Sequence, residues 1–289
     1  MSAQPRVSGV ELYHHIYAWG NDRHPIFKDD NHYQTYLNLL AIQSTYCKVD
    51  VIAYALMEWH IHLFVYDKEN KLSEFMQRLH GDYARFYNLC TKRTGHVFGE
   101  RFNNKLVQFN NYGLRLTRYI HRQALAAGLV DRPEDYVWTS YRIYVGVEKN
   151  PAIKSGVILD QFGKEEGASA GASARYEEFV LAKDNDKIDW DNKSFMVIGD
   201  DNYLEETKKM IKKKKNPGNM KKTKNRIFLI VQNELKLDMQ MLLKPRGRAQ
   251  RKIRHDIFNI LVKEYGFTRS SVANAFNLST MGISKALIK

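Results

Sequence analysis

The chain has 289 residues, of which 44% are hydrophobic; that supports a packed core in two domains and excludes global disorder. The apolar runs are too short to span a membrane, and the opening Met-Ser-Ala-Gln-Pro-Arg lacks the apolar core of a signal peptide, so a cytoplasmic protein with no membrane partner is expected. A net charge of +13 favours a polyanionic partner, and two lone cysteines, Cys47 and Cys90, suggest neither a disulfide framework nor a thiolate zinc site.

Tyr13 to Trp19 is a β-rich run ended by the turn signal Gly20-Asn21-Asp22. Asp29 to Tyr46 reads as a helix with a broad apolar face, including Tyr33, Tyr36, Leu37 and Leu40. Val49 to Met57 and His60 to Tyr66 read as adjacent strands of one hairpin around Glu58-Trp59. Leu72 to Leu89 is strongly amphipathic, with Leu72, Phe75, Met76, Leu79, Tyr83, Phe86 and Tyr87 at helical spacing. His96 to Phe109 is read as extended, and Asn111 to Ala127 as a helix stopped by Gly128. The order βαββαβα predicts an α+β fold, one antiparallel sheet with helices packed on it.

Two patterns carry chemistry. In a strand, residues i and i+2 leave the same face, so His60 and His62 stand side by side, able to share a metal ion, while Ile61 points into the core. Taken alone, His-x-His is a weak signal and fits two half-buried histidines without a metal better than it fits a metal site. On the last helix, Tyr119 and Gln123 are four residues apart and share a face, whereas His121 falls about 200° away. A tyrosine can attack a phosphodiester and hold the phosphate as an ester, although Tyr119 beside Leu116 and Ile120 also fits an ordinary core residue.

The remainder divides by charge. Residues 1–150 hold 18 Lys/Arg against 15 Asp/Glu (+3), residues 151–204 hold 6 against 11 (−5), and residues 205–289 hold 21 against 6 (+15). We therefore divide the chain into a catalytic domain (1–150), an acidic linker region (151–204) and a basic region (205–289). The small-residue run at 161–174 is expected to build no core. Nine lysines fall within 208–224. Residues 268–288 fit a helix-turn-helix register: Asn277 takes the left-handed turn position, Ser279 or Thr280 caps a recognition helix, and Ser284 and Lys285 are exposed on it. Arg251 to Tyr265 forms the supporting helix.

In this order the residues resemble the single-tyrosine HUH transposases, and within them the REP-associated tyrosine transposases. The resemblance rests on Tyr13-His14-His15-Ile16 with Gly20-Asn21-Asp22-Arg23, on Met57-Glu58-Trp59-His60-Ile61-His62-Leu63, and on Phe75 to Leu79. It continues through Gly95-His96-Val97-Phe98 with Arg101-Phe102, Arg118-Tyr119-Ile120-His121 with Ala127 to Val130, and Trp138-Thr139-Ser140-Tyr141. It spans roughly 13–147. It implies an HUH, ferredoxin-like catalytic domain with His60, His62 and Gln123 as ligands of Mg²⁺ or Mn²⁺, and Tyr119 as the nucleophile that becomes joined to a DNA 5′ phosphate. Gln123-Ala124 stands where close relatives carry Asn-Pro, and Glu58-Trp59 where they carry Pro-Asn. The implied function is that of a metal-dependent single-stranded DNA endonuclease and strand transferase acting on repeated palindromic or hairpin DNA, with duplex DNA bound by the C-terminal region. A rolling-circle-type nickase, a domesticated DNA-binding regulator and a structural zinc site are the alternatives.

Overall fold

A computed structural model of the chain describes residues 8–163, 171–182, 188, 190, 196–214, 224–267 and 269–278. They fall into two compact units, residues 1–207 and 208–289.

The first unit is built on a five-stranded sheet of order β2-β3-β1-β4-β5: β1 Leu12–Trp19, β2 Val49–Leu56, β3 His60–Asp67, β4 Asn103–Val107 and β5 Val197–Ile198. Strands β1 and β3 pair antiparallel along their whole length, so Tyr17 lies opposite His62 and Trp19 opposite His60. The β2–β3 hairpin closes through Glu58-Trp59, with the Met57 amide bonded to the His60 carbonyl at 2.8 Å. The sheet is mixed rather than antiparallel, because β5 runs parallel to β4. Successive residues of β1 to β3 are buried, not alternate ones, so both faces of the sheet are covered.

Helix α1, Asp30–Cys47, starts at Asp29, whose carboxylate accepts from the His32 amide, and ends at Lys48 in the left-handed region. Helix α2, Leu72–Thr91, starts under the buried Asp67 at the end of β3, whose carboxylate accepts from the Lys71 and Leu72 amides at 2.8 and 2.9 Å. A negative charge there answers both the unpaired amides and the positive end of the helix dipole.

The expected strand His96–Phe109 is shorter: only Asn103–Val107 joins the sheet, while the preceding loop bridges from Phe98 to Gly20, just past the end of β1. A Cβ at Gly20 would lie 2.0 Å from the His24 carbonyl oxygen, so only glycine allows this turn. The expected helix Asn111–Ala127 breaks at Arg122 into α3, Asn111–His121, and α4, Gln123–Ala126. Further on lie α5, Tyr141–Tyr144, α6, Gly156–Leu159, α7, Ala172–Leu181, and α8, Asp201–Lys214.

The region expected to be an acidic linker contributes to this core. Ile153, Ile158, Tyr176, Val180, Trp190 and Ile198 are all buried in it. Apolar side chains spaced too widely to show a period still anchor a polar segment, and the compact unit therefore extends to Thr207 rather than to residue 150.

The second unit has its own core of Ile227, Ile230, Val231, Met239, Leu242, Ile257, Phe258, Leu261, Val272 and Phe276. Its helices include α9, Met239–Leu243, α10, Gly247–Lys263, which covers most of the expected supporting helix, and α11, Arg269–Ala275. After α11, Asn277 has φ 53°, the Leu278 amide reaches the Ala273 carbonyl at 2.8 Å, and the Asn277 amide reaches that of Asn274 at 3.4 Å. That is a Schellman stop with asparagine in the left-handed position. The expected recognition helix, with Ser279, Thr280, Ser284 and Lys285, lies outside the described residues.

Candidate functional site

One face of the sheet carries Tyr13, His15, Tyr17 and Trp19 from β1, His60, His62 and Phe64 from β3, and Lys105 from β4. This follows from the pairings of Tyr17 with His62, His15 with Phe64, and His15 with Lys105. Helix α3 lies over this face. A Cβ at Gly113 would meet the Phe109 ring at 3.3 Å and the Phe64 ring at 3.5 Å, so glycine lets the helix sit close to the sheet. Two turns later, Tyr119 presents its ring to the histidines.

The rings of His60 and His62 lie 5.0 Å apart and perpendicular, as the i, i+2 spacing requires. The Tyr119 ring stands edge-on to His62 at 5.5 Å and to His15 at 6.0 Å. His60, His62 and Tyr119, singled out in the sequence, are thus gathered at one place from elements far apart in the chain. Gln123 begins α4, and its amide nitrogen donates to the Tyr119 carbonyl at 3.4 Å. That bond uses the nitrogen and leaves the amide oxygen as the end able to act as a ligand. His121 turns the other way, as its angle on the helix requires, into a buried cluster with Tyr144 and Tyr176.

Several residues at this place carried no assigned role in the sequence. His15 stacks nearly parallel to His62, with ring centroids 5.3 Å apart, and its Nε2 lies 3.0 Å from the Nδ1 of His62. Trp190, from the expected linker, packs against Tyr119 at 5.9 Å and meets His15 edge-on at 6.1 Å. The buried Lys105 donates from Nζ to the Trp190 carbonyl and sits over the Tyr17 ring at 5.6 Å. The Trp19 ring lies against His60 at 4.4 Å, tilted by 30°, and is 44% exposed, and Trp59 in the adjoining hairpin turn is 43% exposed. Only the doubled His14-His15 could have been noticed beforehand; the others have no local signal.

Burial dominates the electrostatics. Desolvation first, then the neighbouring His15, His60 and Lys105, pushes the His62 imidazole well below its ordinary value. Burial and then Lys105 bring His15 down to about 3. Both rings are therefore neutral at physiological pH, the form in which imidazole binds a metal. The Nε2 of His62 is buried and has no hydrogen-bond partner. A buried ring nitrogen of this kind is one that a metal would satisfy when it carries no proton, so His60 and His62 fit a divalent ion. Among the described residues, no three His, Cys, Asp or Glu side chains form a metal-holding group. Such an ion would thus need an amide oxygen, water or substrate phosphate to complete its shell.

Residues 8–123 match the family profile described as Transposase IS200 like. No curated protein sequence matches the chain. Among solved structures, the chain is similar to a REP-associated tyrosine transposase bound to a REP hairpin, at 14% identity and a TM-score of 0.45 over 53% of this chain and 90% of that one. It is also similar to a Deinococcus radiodurans R1 protein described as a transposase, at 17% identity and a TM-score of 0.30 over 42% of this chain and 97% of that one.

Proposed function

We propose, from the match of residues 8–123 to the profile described as Transposase IS200 like, that the chain cuts and rejoins single-stranded DNA through a 5′-phosphotyrosine on Tyr119, with His60, His62 and Gln123 holding Mg²⁺ or Mn²⁺. The observation that carries this reading is the convergence of the Tyr119 ring on the His60–His62 pair, 5.5 Å from His62. A divalent ion at this pair would supply Lewis-acid polarisation of the scissile phosphate.

In the cleavage step the Tyr119 oxygen attacks phosphorus. The P–O bond to tyrosine forms, the P–O3′ bond breaks, the phenolic proton passes to solvent, and the departing 3′ oxygen takes up a proton. A second 3′ hydroxyl reverses these events and frees Tyr119. The ester keeps the bond energy, so rejoining needs no nucleotide. Trp190 walls Tyr119 on one side and Lys105 adds positive charge near the histidines, which favours a phosphate. The half-exposed Trp19 and Trp59 beside His60 suit unpaired bases, which stack on aromatic rings. The choice of repeated palindromic or hairpin DNA as substrate rests on the sequence resemblance. Duplex binding through residues 205–289 rests on their positive charge and on the Asn277 turn.

The test is a denaturing gel of protein incubated with single-stranded DNA and Mn²⁺. The unaltered chain should give a DNA adduct that survives denaturation, and Tyr119→Phe none. An equal adduct in Tyr119→Phe moves the nucleophile elsewhere. A chain that binds DNA but never forms an adduct supports a non-catalytic regulator instead.

A further inference from the structure

We infer that His15 is a positioning residue, which accepts the Nδ1 proton of His62 and so turns the Nε2 of His62 into a metal ligand. This rests on the metal role proposed for the histidine pair.

A neutral imidazole carries one proton on one of its two nitrogens. His62 can offer its Nε2 lone pair only if the proton sits on Nδ1. A buried N–H needs an acceptor, or the fold bears the cost of an unpaired donor. The Nε2 of His15, 3.0 Å away, is the acceptor in place. His15 must then carry its own proton on Nδ1. In the opposite arrangement the Nε2–H of His15 donates to His62, whose proton moves to its buried Nε2, and the lone pair is lost.

Both arrangements leave the Nε2 of His62 and the Nδ1 of His15 without hydrogen-bond partners in the metal-free chain. Metal binding breaks the tie, because it satisfies the Nε2 of His62 in the first arrangement alone. The surroundings hold His15 at this task. It is fully buried, faces Phe64 on β3 and Lys105 on β4, and meets Trp190 and Tyr119 edge-on. Groups that orient a metal-bound histidine through its other nitrogen commonly contribute about 10- to 100-fold to metal affinity.

The experiment is a Mn²⁺ titration of the full chain without DNA, following free Mn²⁺ by electron paramagnetic resonance. The variants are His62→Leu, His15→Phe and His15→Gln. Saturable binding should vanish in His62→Leu and weaken about 10- to 100-fold in His15→Phe. It should return to within a few-fold of the unaltered chain in His15→Gln, whose amide oxygen again accepts. A purely structural role for His15 would not be rescued by an acceptor. Unaltered affinity in His15→Phe overturns the role of His15 and leaves the metal site standing. Absence of saturable binding in the unaltered chain overturns both. If His15→Phe unfolds, ¹⁵N spectra of histidine-labelled unaltered protein with saturating Mg²⁺ decide the matter. Protons on Nδ1 of both rings are expected, and a proton on Nε2 of His15 would overturn the inference.

Discussion

His62 and His121 are both buried histidines with depressed proton affinity, but their second nitrogens have different fates. The ring of His121 is fully satisfied. Tyr176 hydrogen-bonds one nitrogen at 2.6 Å, and Ser140, tied in turn to the backbone of Tyr54, bonds the other at 2.7 Å. His62 bonds His15 through one nitrogen and has no hydrogen-bond partner for the other. His62 meets the Tyr119 face of helix α3, whereas His121, on α3 itself, turns its ring to Tyr144 and Tyr176. A buried histidine with both nitrogens satisfied holds a fold together. A leftover nitrogen is not enough by itself to mark a binding place, because the buried His14, His15 and His32 each have one too; His62 differs from His14 and His32 in that its ring meets Tyr119.

The sharpest way to break this contrast is to replace both residues by leucine. His62→Leu should lose adduct formation below detection on a denaturing gel, and yet change stability to urea by less than about 1 kcal/mol. The count of unpaired ring nitrogens explains why. It stays at two, because the Nε2 of His15 replaces that of His62. His121→Leu strips a partner from both Tyr176 and Ser140 and should cost about 2 kcal/mol. Equal destabilisation by the two substitutions would erase the distinction.

A pH series sharpens it next. Burial lowers His121 and His80 from 6.5 to about 3 in the folded chain. The unfolded chain therefore takes up protons first as pH falls. The stability these residues permit is full above pH 6.5 and is lost as pH drops from 6.5 towards 3. Each contributes a slope of up to about 1.4 kcal/mol per pH unit, and His121→Leu should reduce the slope by one such share. An unchanged slope in urea unfolding across pH 6 to 4 would contradict the assignment.

The smallest effect concerns Trp19. Its ring already rests on His60, so Trp19→Ala should weaken single-stranded DNA binding by about 1 kcal/mol, roughly fivefold, without changing the melting temperature. Fluorescence anisotropy with a labelled oligonucleotide reads it. No change in affinity would remove Trp19 from the DNA path.

Much of this contrast was legible in the residues. The β-rich run of β1, the short apolar run of β3 and the helical spacing on α2 located their elements, and the 200° angle correctly turned His121 away from Tyr119. The spacing of His60 and His62 also placed their rings together. The role of His15 was hidden, since it depends on which strand lies beside β3, and that pairing is a tertiary fact. Trp190 was hidden because an isolated tryptophan in a polar, acidic run has no period to report. Strand β5 has two residues, too few for any pattern. The break at Arg122 escaped notice because nothing in Ile-His-Arg-Gln is a helix breaker.

The central claim is that Tyr119 is the atom donor of the covalent bond, and peptide mapping of the adduct tests it most directly. The chain is reacted with single-stranded DNA and Mn²⁺, digested with nuclease and protease, and sequenced by tandem mass spectrometry. The expected result is a nucleotide remnant on the peptide bearing Arg118-Tyr119-Ile120, localised to Tyr119. A remnant on Tyr112, two turns earlier on α3, or on any other residue would contradict the account.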